Sequence, residues 1–191
     1  MAKATKSAKK PAKKETKSTF KLGDHIFYPN HGAGTITAKK QIEIGGTKNM
    51  YFEFKFVNSN LAVSTPVQNM ERLGVRHIEK ASVLRKALRA LKARKSQKPP
   101  TVEYNPLARD LKILEESGKI DDSIKVIRYC NYIVKMRESE GRLIPITITR
   151  FIQTAMHNLI GELSLAAKKD YDKATEEFEK LTGLKVIPLK R

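Results

Sequence analysis

Met50-Tyr-Phe-Glu-Phe-Lys-Phe-Val57 alternates large apolar with polar side chains, the two-residue period of a half-buried strand. Successive side chains of a strand point to opposite faces, so Phe52, Phe54 and Phe56 share one face and read as core. Working outward, Gly23-Asp24 opens the run His25-Ile-Phe-Tyr28, and Pro29-Asn-His-Gly32 is a turn cluster. Gly34–Ala38 and Gln41–Ile44 follow as strands, the second running into Gly45-Gly46. Beyond Val57, Asn58-Ser-Asn60 turns the chain into Leu61–Pro66, a strand ended by proline. Four or five short strands in about 50 residues predict a small β-barrel of Tudor or SH3 type.

From about Ile78 the period becomes helical. Val83, Leu84, Ala87, Leu88 and Leu91 form one stripe, and Pro99-Pro100 closes that helix. Asn105-Pro106 reads as a cap followed by proline at the first helical position, with Leu107, Leu111 and Leu114 behind it. Ser117-Gly118 stops that helix, and Asp121, Asp122 or Ser123 caps the next, which holds Ile124, Ile127 and Ile133. Gly141–Pro145 is a break. Ile148, Phe151, Ile152, Ala155, Leu159, Ile160 and Leu163 repeat at helical spacing, as do Tyr171, Ala174, Phe178 and Leu181, before Gly183. The expected architecture is α+β in two domains. Residues 1–18 form a disordered lysine-rich tail, 19–76 the barrel, 77–185 an all-helical domain of about five helices, and 186–191 a C-terminal tail.

Charge narrows the partner. The 191 residues carry 38 Lys and Arg against 20 Asp and Glu, a formal net charge of +18. Seven of those lysines lie in residues 1–18, so the remainder is basic without the tail. Between Lys80 and Lys98 there are eight basic residues and no acid. A polyanion, nucleic acid first, is the expected partner. Lysine outnumbers arginine 27 to 11, which favours phosphate contact over bidentate reading of base edges. A lone cysteine, Cys130, excludes an intramolecular disulfide and a cysteine-rich zinc site. No stretch has the roughly 20 apolar residues of a membrane span, and the charged N-terminus lacks a signal peptide's apolar core. A cytoplasmic, nucleoid-associated protein is expected.

No catalytic constellation emerges. His25, His31, His77 and His157 lack metal-ligand spacing. Gly45-Gly46-Thr47-Lys48 has a phosphate loop's composition but lies between two strands, where a hairpin turn is the better reading. Cys130 reads as a buried inert thiol. The adjacent acids Glu115-Glu116, Asp121-Asp122 and Glu176-Glu177 point in different directions on helices. A binding protein is expected rather than an enzyme, with no cofactor, metal or small-molecule substrate.

Lys21-Leu-Gly-Asp24 followed by Tyr28-Pro-Asn-His-Gly32 resembles the opening of the CarD/CdnL family of bacterial transcription regulators. Leu61–Pro66, Gly74-Val-Arg76, Glu116-Ser-Gly118 and Gly161-Glu-Leu-Ser-Leu-Ala166 match further family segments in order, over roughly residues 19–182. The resemblance implies that the Tudor-like module binds the RNA polymerase β subunit. It implies that the helical domain grips double-stranded promoter DNA through the minor groove, with low sequence specificity, at the upstream edge of the bubble. There an aromatic residue, usually Trp, wedges into the DNA and stabilises the open complex. The same barrel occurs in the transcription-repair coupling factor, whose helicase motifs are absent here.

The chain has no Trp. Aligned from Ser117-Gly118, the wedge position falls on Tyr104, beside Asn105. The competing role for Tyr104 is a hydrophobic staple against Arg109. The family's basic residues after the aromatic are replaced by Pro106 and Leu107, with only Arg109 charged, so phosphate contacts are expected at Lys112, Arg150 and a face holding Lys86, Arg89 and Lys92. Polymerase contacts are expected at Ile42, Leu61, Val63, Ser64, Thr65 and Pro66. Ile42 and Ser64 stand where the family has basic side chains, leaving backbone pairing as the main attraction. A plain solvent edge guarded by Lys39 and Lys40 is the bland alternative. Rival functions are a histone-like nucleoid protein and an RNA- or ribosome-binding protein.

Overall fold

A computed structural model describes residues 20–44, 47–59 and 62–188. The expected N-terminal tail, the Gly45-Gly46 turn and Leu61 lie outside the described residues. Five strands, β1 (His25–Tyr28), β2 (Gly32–Ile44), β3 (Thr47–Phe56), β4 (Ala62–Pro66) and β5 (Arg76–His77), form one sheet in the order β4-β3-β2-β1-β5. All neighbours are antiparallel. Among the described residues no ladder joins β4 to β5. β2 is one strand of 13 residues where the sequence suggests two. A register shift between Ile36 and Ala38 explains it: the bulge lets one long strand bend without breaking. Phe52, Phe54 and Phe56 are buried with Phe20, Ile26, Ile36, Met70 and Val75, as their shared face requires.

Five helices follow: α1 (Ala81–Ala93), α2 (Tyr104–Glu116), α3 (Ile120–Ser139), α4 (Ile146–Ala167) and α5 (Tyr171–Thr182). α1 stops well before Pro99. Arg128 on α3 donates to the carbonyls of Arg94 (2.7 Å) and Ala90 (2.8 Å), and Asn131 donates to that of Lys95 (2.9 Å), so the final carbonyls find side-chain donors and the helix need not continue. α2 begins at Tyr104 with Glu103 at its cap. Asn105 is therefore not the cap, and Pro106 is the third helical residue. Proline is tolerated there because N–H groups in the first turn have no intrahelical acceptor. α3 starts earlier than its candidate caps, with Lys119 at the cap position and Asp121 and Asp122 in its first turn, where carboxylates favour the positive end of the helix dipole.

The apolar residues form two separate clusters, one under the sheet and one among the helices. Between them runs a polar seam. Glu162 of α4, 1% exposed, accepts from Arg76 Nη1 and Nη2 at 2.7 and 2.9 Å and from the Glu79 N–H at 2.9 Å. Arg76 also donates through Nε to the Gly118 carbonyl (2.9 Å), and its guanidinium lies 4.6 Å over the Phe27 ring. Asn58 donates to the His157 carbonyl at 2.8 Å. Two glycines make the fit possible. Gly118, at φ +66°, would place a Cβ 3.3 Å from Phe27 and Pro29, and Gly32, at φ +86°, would place one 2.7 Å from Asn158 Oδ1. The expected boundary at residue 76 falls inside β5 and on this seam. The C-terminal segment is also held: His157 donates through Nε2 to the Ile187 carbonyl, and Gln153 to that of Pro188.

Candidate nucleic-acid interface

β4 ends the strand order, so one of its edges is unpaired within the sheet. Of the residues expected there, Ser64 is exposed, while Val63 and Pro66 are half-buried. Thr65 is buried, with its hydroxyl 3.3 Å from the Tyr28 hydroxyl, and serves packing. Ile42 does not join this edge. It pairs with Asn49, in the part of the β2–β3 hairpin that runs past Pro66, which sits opposite Tyr51. The guard residues are engaged locally: Lys39 lies 5.9 Å over the Phe52 ring and Lys40 pairs with Glu53 at 2.7 Å.

The helical candidates fall into two groups. Lys86, Arg89 and Lys92 are exposed on the side of α1 opposite the buried Leu84, Leu88 and Leu91. The segment's freedom from acid does not survive folding. α5 brings Glu177 to Arg85 at 2.6 Å and to Lys169 at 2.7 Å, and these hydrogen bonds hold the Glu177 carboxyl below its ordinary range. Lys95 donates to the Gly183 carbonyl at the end of α5. The uncompensated charge is thus the outer stripe.

The second group lies along α2 and at the start of α4. Tyr104 is 43% exposed, and its hydroxyl donates to Thr147 Oγ1 at 2.8 Å. The staple geometry does not apply, because Tyr104 is inside the helix rather than before its cap. Asn105, Arg109, Lys112 and Arg150 are exposed. Lys112 lies 3.8 Å from Glu116. Burial, then the neighbouring Glu116, raises the Glu115 carboxyl, while Arg150 and Lys112 pull it back down. Part of the local positive charge is therefore offset. α1 packs on α3, α4 and α5, and α2 on α3 and α4; Lys86, Arg89 and Lys92 thus lie on a different helix from Tyr104.

The sequence reading missed Leu143 and Ile146, 91% and 76% exposed beside Thr147. Their signal was an apolar residue on each side of Ile144-Pro145, the first inside the Gly141–Pro145 break and the second at the start of the following helix. Cys130 is fully buried, and burial pushes its thiol up to about 12, consistent with an inert role. Among the described residues no group of His, Cys, Asp or Glu could hold a metal ion, and no helix is long and apolar enough to cross a membrane.

The family model for the CarD-like/TRCF RID domain matches residues 20–79. Residues 20–79 are thus similar to a CarD-like domain. A Bacillus subtilis (strain 168) protein named "Putative transcription factor YdeB" is 24% identical over 148 residues, 76% of this chain and 91% of that protein. That alignment is longer than the CarD-like domain and therefore includes helical residues. Four of the segments on which the resemblance in the sequence rests have a common place in the fold. Tyr28–Gly32, Gly74–Arg76, Glu116–Gly118 and the start of Gly161–Ala166 meet at the seam, which seats the CarD-like domain on α4.

Proposed function

We propose that this protein is a transcription regulator that engages the RNA polymerase β subunit through the outer edge of β4 and promoter DNA through its helices. It modulates the stability of the open complex at the upstream edge of the bubble. The CarD-like domain with an unpaired edge strand carries this reading; the similarity to a protein named as a transcription factor supports it. Strand addition supplies backbone hydrogen bonds without requiring charged side chains at Ile42 or Ser64. The exposed Lys86, Arg89 and Lys92 and the Tyr104 region supply phosphate and groove contacts. Two tethered weak sites raise effective concentration, and preference for opened DNA shifts the promoter equilibrium. The role is one of binding, without catalysis, in the cytoplasm at the nucleoid.

The test is capture of core RNA polymerase by the full chain, compared with Ser64→Pro, with circular dichroism as the folding control. Wild-type capture lost in a folded variant supports the assignment. A wild-type chain that binds duplex DNA but not polymerase returns the nucleoid reading.

A further inference from the structure

Nine large apolar side chains are exposed among the described residues, and the two most exposed, Leu143 and Ile146, lie three residues apart where the chain enters α4. Tyr104 reaches the same place, since its hydroxyl holds Thr147. Val102, 42% exposed, precedes it by two residues. Concentrated exposed apolar surface marks a binding surface more often than scattered single residues do.

This apolar prong, Leu143 to Ile146, is built to stay in place. Arg137 donates from Nη1 to the Leu143 carbonyl at 3.3 Å, and the Arg142 N–H donates to the Arg137 carbonyl at 2.8 Å. Pro145 fixes the backbone at the helix entry, and its carbonyl accepts from Ile148 at 3.0 Å. Arg142 flanks Leu143 with its side chain 67% exposed, paired at 3.3 Å only with the exposed Glu140, a surface pair weak enough to exchange for phosphate. Arg150, one turn beyond Ile146, lies on the same face of α4. No acid occupies the first turn of α4, so the positive end of its dipole faces the same approach. Tyr104 is less exposed than either aliphatic residue and has its hydroxyl engaged.

We infer that Leu143 and Ile146 form the apolar edge that enters an opened base step of DNA, with Arg142 and Arg150 contacting the flanking phosphates and Tyr104 positioning the edge. The inference rests on the DNA-binding reading above and moves its wedge to residues on the α3–α4 connection. Leucine and isoleucine insert between base steps in the minor groove elsewhere, where cationic side chains hold the backbone. A preformed edge loses little freedom on insertion, and a step already opened costs less unstacking than an intact one.

The test uses the full chain and a DNA duplex carrying 2-aminopurine beside a short mismatched bubble, with the fully paired duplex as reference. Wild type should bind the bubble more tightly and raise the 2-aminopurine fluorescence. Leu143→Ser combined with Ile146→Ser should reduce that preference about tenfold and abolish the fluorescence rise, with paired-duplex affinity within about twofold of wild type. Tyr104→Phe, which keeps the ring and frees Thr147, should produce an intermediate loss. A double variant with unchanged bubble preference overturns the prong while leaving DNA binding intact. Wild-type protein that binds neither DNA overturns the DNA reading itself. Sedimentation showing a wild-type dimer and a monomeric double variant assigns the edge to a second copy and also overturns it.

Discussion

The seam beneath α4 and the prong at its N-terminus lie on one helix and solve opposite problems. At the seam the charged groups are satisfied internally: Glu162 accepts from Arg76 and the Glu79 N–H, and the glycines leave room for Phe27, Pro29 and Asn158. At the prong Leu143 and Ile146 touch little and Arg142 has only a surface acid. Four of the segments that resemble a transcription-factor family meet at the first region, whereas Tyr104 and Arg150, two of the expected DNA contacts, lie by the second. Similarity in this chain therefore reports how the CarD-like domain is held, and the surface must be argued from exposure and charge.

The comparison predicts that seam substitutions act on folding and prong or stripe substitutions on binding. The largest folding effect is expected for Arg76→Ala, which leaves Glu162 buried and unpaired. Such a change costs about 3 kcal/mol or more, readable as a lower urea midpoint with faster amide exchange in both β5 and α4. Gly32→Ala should follow. A left-handed backbone costs an alanine about 1–2 kcal/mol before the contact with Asn158 is counted, so its thermal midpoint should fall while DNA affinity holds.

A smaller effect belongs to the Arg85–Glu177–Lys169 cluster. The folded Glu177 carboxyl titrates below its unfolded value, so its contribution is complete above the ordinary carboxylate range. It is lost as pH falls through the lower folded value. Thermal melts of Glu177→Gln should thus depend less on pH than those of wild type between about pH 5 and pH 3. An identical dependence would show that the cluster contributes nothing to folding. The least folding effect is expected for Lys86, Arg89 and Lys92 changed together to Ala, all exposed. If each neutralises one phosphate, the log–log salt slope of DNA binding should fall by about 2–3. An unchanged slope would make the α1 stripe a solvated surface and leave DNA contact to the prong and the α2 residues.

Local periodicity carried much of the fold. Alternation in Met50–Val57 located β3 and its buried phenylalanines, and the 3.6-residue period yielded all five helices. Helix entries were harder to place, because Asn105-Pro106 and Asp121-Asp122 have capping chemistry but lie one or more residues inside. At these entries Tyr104 donates to Thr147 of α4 and Asp122 accepts from Ser117, bonds that capping chemistry alone does not signal. The acid-free run Lys80–Lys98 was legible as composition. That Glu177 would reach Arg85 from 92 residues away was not. Tyr104 was found by alignment, whereas Leu143 and Ile146 were hidden because apolar residues at a loop–helix junction do not announce whether they are buried.

α4 spans 22 residues without a break, from Ile146 at the prong to beyond Glu162 at the seam. At 1.5 Å per residue the two are about 24 Å apart along the axis, close to seven base pairs of B-form DNA at about 3.4 Å each. In the proposed complex the helix is therefore a measuring rod: where the sheet docks determines which base step the prong meets. One residue inserted between Phe151 and Ala155 would advance the prong by only about 1.5 Å but swing it by about 100° around the rod, so angular phase rather than reach sets the tolerance.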